Sequence, residues 1–323
     1  MPTRVPREKP RKWIDAEIES LDPDVDHARI WQLGNAYRTS PMILNMAVCQ
    51  GFLRLVGPAS GARTLVRGGT GKVVLHQQRR IEHTMREVWT WYTGEGAHDP
   101  RVRESVERVN KQHDAWAGKY PDAILDVRQY TNTICIMAAE PHRVMQRLGL
   151  PGFSAKEQRA AYRHWSEIAQ LFRIGSDQGV PLPADFDGML DFLADFERND
   201  YSTGPESNVV AEALLQQFSD RWFPRPLHGL GRGLVLSLAT PELLAVHGLT
   251  APRPLVARIL RWALRTLITV GQRWAPDPVE VAPIPAAFAE PRPESPMGGR
   301  LKAALSSMRE RRPGPDGSTS TSV

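Results

Sequence analysis

The sequence predicts an all-α fold, a single multi-helix domain, and three observations point there. Apolar residues recur at spacings of three and four along most of the chain. Strand-type alternation hardly appears, and Ser, Asp, Pro and Gly fall where such helices should start and stop.

A first helix is expected over residues 24–39. Ser40-Pro41 supplies an N-cap and a proline at the first helical position, opening a second helix that runs to about Val56. Residues 57–71 hold five glycines and one proline, so they read as a loop or a broken helix. A third helix covers roughly 75–93 and stops at Gly94-Glu95-Gly96, and Asp99-Pro100 caps a fourth that reaches Ala117. The fifth spans 122–139, with Glu140-Pro141 after it. Ser154 and Glu157 form a capping box for the sixth, which ends near Ile174. Two more cover 183–199 and 205–221, and residues 252–274 make a long last helix. From Pro276 onward prolines crowd in and the chain closes in Gly, Ser and Thr. The domain is therefore expected over residues 21–275, between a basic extension at 1–20 and a disordered Pro-rich tail at 276–323. Within that tail, 301–309 is expected to be transiently helical.

Composition narrows the function. Hydrophobic residues make up 41% of the chain, which is too many for a disordered protein. No run of about 18 apolar residues suggests a membrane span, and no apolar stretch follows the basic N-terminus as in a secretory signal. Cys49 and Cys135 are the only cysteines, excluding a disulfide scaffold and a cysteine-rich metal site. These features imply a cytoplasmic setting. The net charge of +5 is not gathered into an arm, and no compact helix-turn-helix presents a base-reading face, so nucleic acid is not an expected partner. One segment is unusual. From His27 to Ile81 there is no Asp or Glu, while Arg29, Arg38, Arg54, Arg63, Arg67, Lys72, Arg79 and Arg80 carry positive charge. Either acids elsewhere in the fold balance this run, or an anionic partner does.

The fourth helix carries the candidate site. Its apolar stripe runs Val102, Val106, Val109, position 113 and Trp116, and position 113 is a histidine. Such a stripe faces the core, so His113 needs a partner for each ring nitrogen. A core histidine hydrogen-bonded at both ends meets that need. So does an iron ligand whose second nitrogen is held by a carbonyl or side chain. In the third helix Arg80 and Thr84 lie on the side of Ile81, Val88 and Trp91, one turn apart. An arginine there can grip a propionate, and a threonine hydroxyl can donate to a bound oxygen species. Alternatively Arg80 snorkels to the surface and Thr84 bonds back to its own helix.

Arg80-Ile-Glu-His-Thr84, followed by Val109-Asn110-Lys-Gln-His113, resembles the MpaB-like oxygenase family, which includes the latex-clearing rubber oxygenases. The likeness continues loosely through Tyr130-Thr131, Phe153-Ser154 with Glu157, Tyr162-x-x-Trp165 and Val180-Pro-Leu-Pro183. The resemblance implies a helical fold around haem b, with His113 as proximal iron ligand and Arg80 and Thr84 in the pocket. It implies oxidation or oxygenation of a hydrophobic small molecule. The rubber-cleaving branch has a glutamate some sixteen residues before the arginine and a lysine just before the threonine. Here that stretch has no acid and the lysine position is His83, which makes polyisoprene cleavage doubtful and His83 a candidate distal ligand.

Two other readings remain open. His113, His142 and His164 could form a non-haem metal site in a helical-bundle enzyme, or the chain could be a non-catalytic helical ligand-binding protein. The 252–274 helix sets Arg258, Arg261 and Arg265 on one side and Val256, Leu260, Ala263, Leu267 and Val270 on the other. That face either packs on its own domain or makes a peripheral membrane contact. Substrate identity, oxidant and oligomeric state are not legible.

Overall fold

The computed structural model describes residues 10–289 and 296–311. Trp13 and Ile14 begin the folded part. They open α1 (Ile14–Ser20) and pack with Ile18 against Ile30, Leu33 and Ala160. The expected first helix is α2 (His27–Trp31) followed by a π-helical turn, Gln32–Ala36. The wider turn lets the Gln32 amide reach the carbonyls of Thr93 and Gly94 at 3.0 and 3.2 Å, so it caps another helix's end.

Ser40 caps α3 (Pro41–Leu55), its hydroxyl accepting from the Ile43 amide. The glycine-rich stretch is indeed a broken helix. It forms α4 (Ala59–Val66), then a turn in which Arg67 adopts φ 51°, then α5 (Lys72–Leu75). α6 (Gln77–Thr93) and α7 (Pro100–Ala117) end and begin where the sequence indicates, with Asp99 capping α7. α8 (Pro121–Ile124) is a single turn leading into α9 (Val127–Arg147).

α9 departs from expectation by running through Pro141 for six more residues to Arg147. Proline removes one backbone hydrogen bond. Burial of Glu140 and His142, and the Arg147–Glu140 ion pair at 2.6 Å, hold the helix together across it. The capping box of Ser154 and Glu157 starts α10 (Ala155–Ala169) as read. That helix stops short of Ile174, because Arg173–Ile174 pairs with Asp177–Gln178 in a small hairpin turned at Gly175, φ 61°. There follow α11 (Phe186–Asn199), α12 (Ser207–Trp222), α13 (His228–Leu236), α14 (Pro241–Val246) and α15 (Pro254–Trp274).

The described part of the segment expected to be a disordered tail, 276–289 and 296–311, contains two helices. α16 (Ile284–Ala289) buries Ile284 and Phe288, and α17 (Gly299–Glu310) buries Leu301, Leu305 and Met308 against α12. Proline content masked these apolar anchors, just as basic charge masked Trp13 and Ile14 at the other end. Residues 312–323 lie outside the described residues.

The all-α prediction holds, with the two-residue hairpin as the sheet content among the described residues. Two apolar clusters share α3 as a wall. Leu44 and Val48 join α6, α7, α9, α10 and α11 on one side, while Met46, Cys49 and Leu53 join α4, α12, α13 and α17 on the other. α12 is buried nearly all round, and its enclosed polar side chains are paired, Glu212 with Arg232 and Gln217 with Asn45.

Candidate functional site

A cavity of about 1490 Å³ opens along α3, α6, α7 and α9 and reaches α15. It exceeds the ~300–1,000 Å³ usual for a small ligand. α6 and α7 are fixed against one another by the Trp91 indole, which donates to Ser105 Oγ at 2.9 Å. α7 is clamped further along by Asn110. Its amide donates to the Leu171 carbonyl at 3.0 Å, and its oxygen accepts from the Arg173 amide at 3.1 Å.

One turn beyond Asn110, His113 lines the cavity. Its Nδ1 is 2.8 Å from the Tyr130 hydroxyl, with the two rings edge to face. Burial first, and then the charge of Arg80, press its pKa down to about 4 against the pull of Asp114. The imidazole is therefore neutral at physiological pH. Nδ1 is held by Tyr130, and Nε2 has no hydrogen-bond partner among the described residues. A side chain oriented through one nitrogen with the other left open has the arrangement of a metal-ligating histidine. Tyr130 figured in the sequence only as part of a loose likeness. Its contact with His113 arises from packing of α9 on α7, which no local pattern encodes.

Arg80 also lines the cavity. Its Nη1 donates to Thr84 Oγ1 at 2.7 Å, and its guanidinium lies 5.2 Å from the Phe52 ring centre. Burial and the neighbouring charge of Arg67 lower its pKa to about 10. Arg67 stacks on Trp116 at 3.7 Å and donates to the Thr64 carbonyl at 3.1 Å. Neither arginine makes an ion pair with an acid among the described residues. Two cations lining one cavity without an acid partner have the chemistry to receive an anion. The Thr84 hydroxyl accepts from Arg80 and itself donates to the Arg80 carbonyl at 3.0 Å. Its proton is thus spent on its own helix, and what Thr84 does here is hold the guanidinium. His83, beside it, lines the cavity half-buried. Burial and the charges of Arg86, Lys72, Arg79 and Arg80 lower its pKa.

Seven of the eight cations in the acid-free run divide into two groups. Arg29, Arg38, Arg54 and Arg63 are answered by Glu17, Asp15, Glu140 with Glu197, and Asp122. Arg67, Lys72 and Arg80 line the cavity without an acid partner among the described residues. Acids elsewhere in the fold thus balance the first group only.

Three carboxylates line the cavity among the described residues, and each is engaged. Glu87 accepts from Ser105 and pairs with Arg108 at 2.8 Å. Glu140 pairs with Arg54 at 3.2 Å and Arg147 at 2.6 Å. Asp277 pairs with Lys12 at 3.2 Å and accepts from the Ile14 amide. Sixteen residues before Arg80 stands Thr64, whose hydroxyl donates to the Ser60 carbonyl at 2.9 Å.

The three-histidine metal site does not form. His164 Nε2 lies 2.9 Å from the Trp91 carbonyl and its ring stacks on Trp31, while His142 Nδ1 accepts from the Phe153 amide at 2.9 Å. Neither lines the cavity with His113, and among the described residues no three His, Cys, Asp or Glu side chains gather to hold a metal. Packing demand explains both: each imidazole satisfies a buried backbone group.

No single helix among the described residues is long and apolar enough to cross a membrane. A family model described as ER-bound oxygenase mpaB/B'/rubber oxygenase, catalytic domain, matches residues 36–269. No curated protein matches the chain.

Proposed function

The chain belongs to the mpaB/rubber oxygenase catalytic-domain family, and from that premise we propose an oxygenase that holds haem b in this cavity and acts on an apolar small molecule. The observation that carries the reading is His113: a neutral imidazole, oriented by Tyr130, with Nε2 unpartnered at the cavity wall.

The residues present fit the group. His113 Nε2 would hold the iron, and Tyr130 fixes the ring by holding Nδ1. Arg80 and Arg67 would receive the group's carboxylates, whose negative charge would supply the counter-ions these guanidiniums lack. When bound, haem supplies the redox chemistry that adds oxygen to the substrate. Val48, Phe52, Ile134, Met137 and Phe172 line the wall and exclude water from an apolar guest. Thr84 keeps Arg80 aimed, and His83, which also lines the cavity, would be the candidate for a second ligand. No lining carboxylate is free to take a proton, since Glu87, Glu140 and Asp277 are each held by cations or donors. Polyisoprene cleavage that needs such a base is therefore expected to be negligible, because general-base help is worth roughly 10²–10⁴-fold in rate.

Titrating hemin into the purified protein and following the Soret band tests the proposal. Wild type should take up one equivalent, and His113→Ala should stay folded by far-ultraviolet dichroism while losing most of the uptake. A colourless wild type, or a variant with an unchanged ligand spectrum, overturns it.

A further inference from the structure

α15 presents three faces rather than two. Ala257, Leu260 and Leu264 are buried against the domain. Arg258 and Arg265 project to one side of that contact, exposed to solvent. The remaining arc, about 140° wide by helix geometry, carries Leu255, Ile259, Trp262, Leu267, Val270 and Trp274, all exposed, with Thr266 and Arg273 on the same arc. The two indoles are 65% and 67% exposed, although tryptophan is ordinarily well buried. The expectation that the apolar side of this helix packs on its own domain is thus met by one stripe only, and a second apolar stripe faces outward.

Two further observations say what covers that stripe. The first is charge. α15 contains no Asp or Glu, and none of Arg258, Arg261, Arg265 and Arg273 forms an ion pair among the described residues. Arg11, itself exposed, donates to the Trp274 carbonyl and adds a cation at the helix's end. An exposed apolar arc bordered by unanswered arginines suits a surface that is apolar beneath and anionic above. The second is position. Leu267, Gly271 and Gln272 are exposed and also line the cavity, so they form part of its mouth. Leu267 belongs to both, so the outward stripe adjoins the opening at that residue.

We propose that α15 lies in the interface of an anionic lipid bilayer, its indoles among the headgroups, with the cavity mouth set against the lipid. The surface draws the protein to the phase in which an apolar guest is dissolved, and Leu267 stands at the boundary between the two. The proposal rests on the cavity mouth and the helix face and is independent of what cofactor the cavity holds.

Flotation of the full chain with vesicles tests it, and the readout requires no haem. With phosphatidylcholine and phosphatidylserine vesicles at low salt the protein should float, and with phosphatidylcholine alone much less. Trp262→Ser with Trp274→Ser should leave it in the dense fraction. Arg258→Glu with Arg265→Glu should cut partition into anionic vesicles by about tenfold or more, on the order expected for charges near such a surface. Leu255→Ser with Ile259→Ser, at the other end of the stripe, gives an independent loss should the indole variant fold poorly. Absence of flotation, or flotation unchanged by all three variants, overturns the proposal. So does a concentration-dependent dimer in size-exclusion chromatography that the tryptophan variant splits, since the stripe would then be covered by a second copy.

Discussion

Arg54 and Arg80 come from the same acid-free run of sequence, and the fold treats them in opposite ways. Arg54 is 1% exposed and sits 3.2 Å from Glu140 and 3.4 Å from Glu197. Arg143 and Arg147 complete the cluster, at 2.8 Å from Glu197 and 2.6 Å from Glu140. Burial raises the Glu140 carboxyl's pKa, but Arg54, Arg147 and Arg143 together outweigh it and hold the value below the usual range. Arg80 has a hydroxyl, a phenyl face and another arginine for company. A buried charge answered by its own chain belongs to the architecture. One that the chain leaves unanswered, at a cavity wall, is held for something that arrives later.

The largest effect expected from that contrast is on the answered side. Glu140→Ala leaves the fully buried Arg54, and with it Arg147, short of a carboxylate, a loss of about 3–5 kcal/mol. Urea unfolding measures it, and a variant within about 1 kcal/mol of wild type would mean the cluster is effectively solvated. Arg80→Ala should do the reverse. It removes a cation that has no acid to strand, so unfolding should be unchanged or slightly harder. Hemin affinity should fall about 10–100-fold, the worth of one charge-assisted hydrogen bond. A destabilised variant with wild-type hemin affinity would erase the distinction between the two arginines.

A smaller effect sharpens it. Burial, and then the charge of Arg80, push the His113 pKa down to about 4, against an ordinary imidazole's 6.5. Between those values the unfolded chain takes up a proton that the folded protein refuses, so stability falls as pH drops from about 6.5 to 4. His164, held down to about 3 mainly by burial, contributes in the same direction. His113→Gln should make the decline shallower without abolishing it. Arg80→Ala should also flatten it, by letting the His113 pKa rise. Urea midpoints at neutral and mildly acidic pH decide this, and an unaltered slope in both variants would show that His113 is not coupled to Arg80.

Much of this architecture was legible where the physics is local. Ser40, Asp99 and Ser154 each cap the helix that the chain order implies, because capping depends on a few neighbouring atoms. The stripe through Val102, Val106 and His113 likewise pointed inward correctly, since helix periodicity alone sets it. What stayed hidden depends on residues far apart in sequence. Glu140-Pro141 reads as a helix end until Arg54, some eighty-five residues earlier, arrives to hold Glu140 in place. Tyr130 as the partner of His113, and Phe288 against the aromatic edge of Trp222, are products of packing between helices. Thr84 was legible as a pocket residue, but whether its proton faces the cavity or the Arg80 carbonyl depends on a rotamer.

Arg67 draws two kinds of selection into conflict. It is the one non-glycine residue with positive φ among those described, at 51°, a conformation costing an ordinary side chain roughly 1–2 kcal/mol. Glycine follows it at positions 68 and 69 and would fit position 67 better. Laboratory evolution for heat tolerance should therefore drift toward Arg67→Gly, shedding strain and a desolvated charge together. Evolution for turnover should drift back, because the same turn presents the guanidinium over Trp116 at the cavity wall. Which residue a lineage carries there becomes a record of which pressure prevailed.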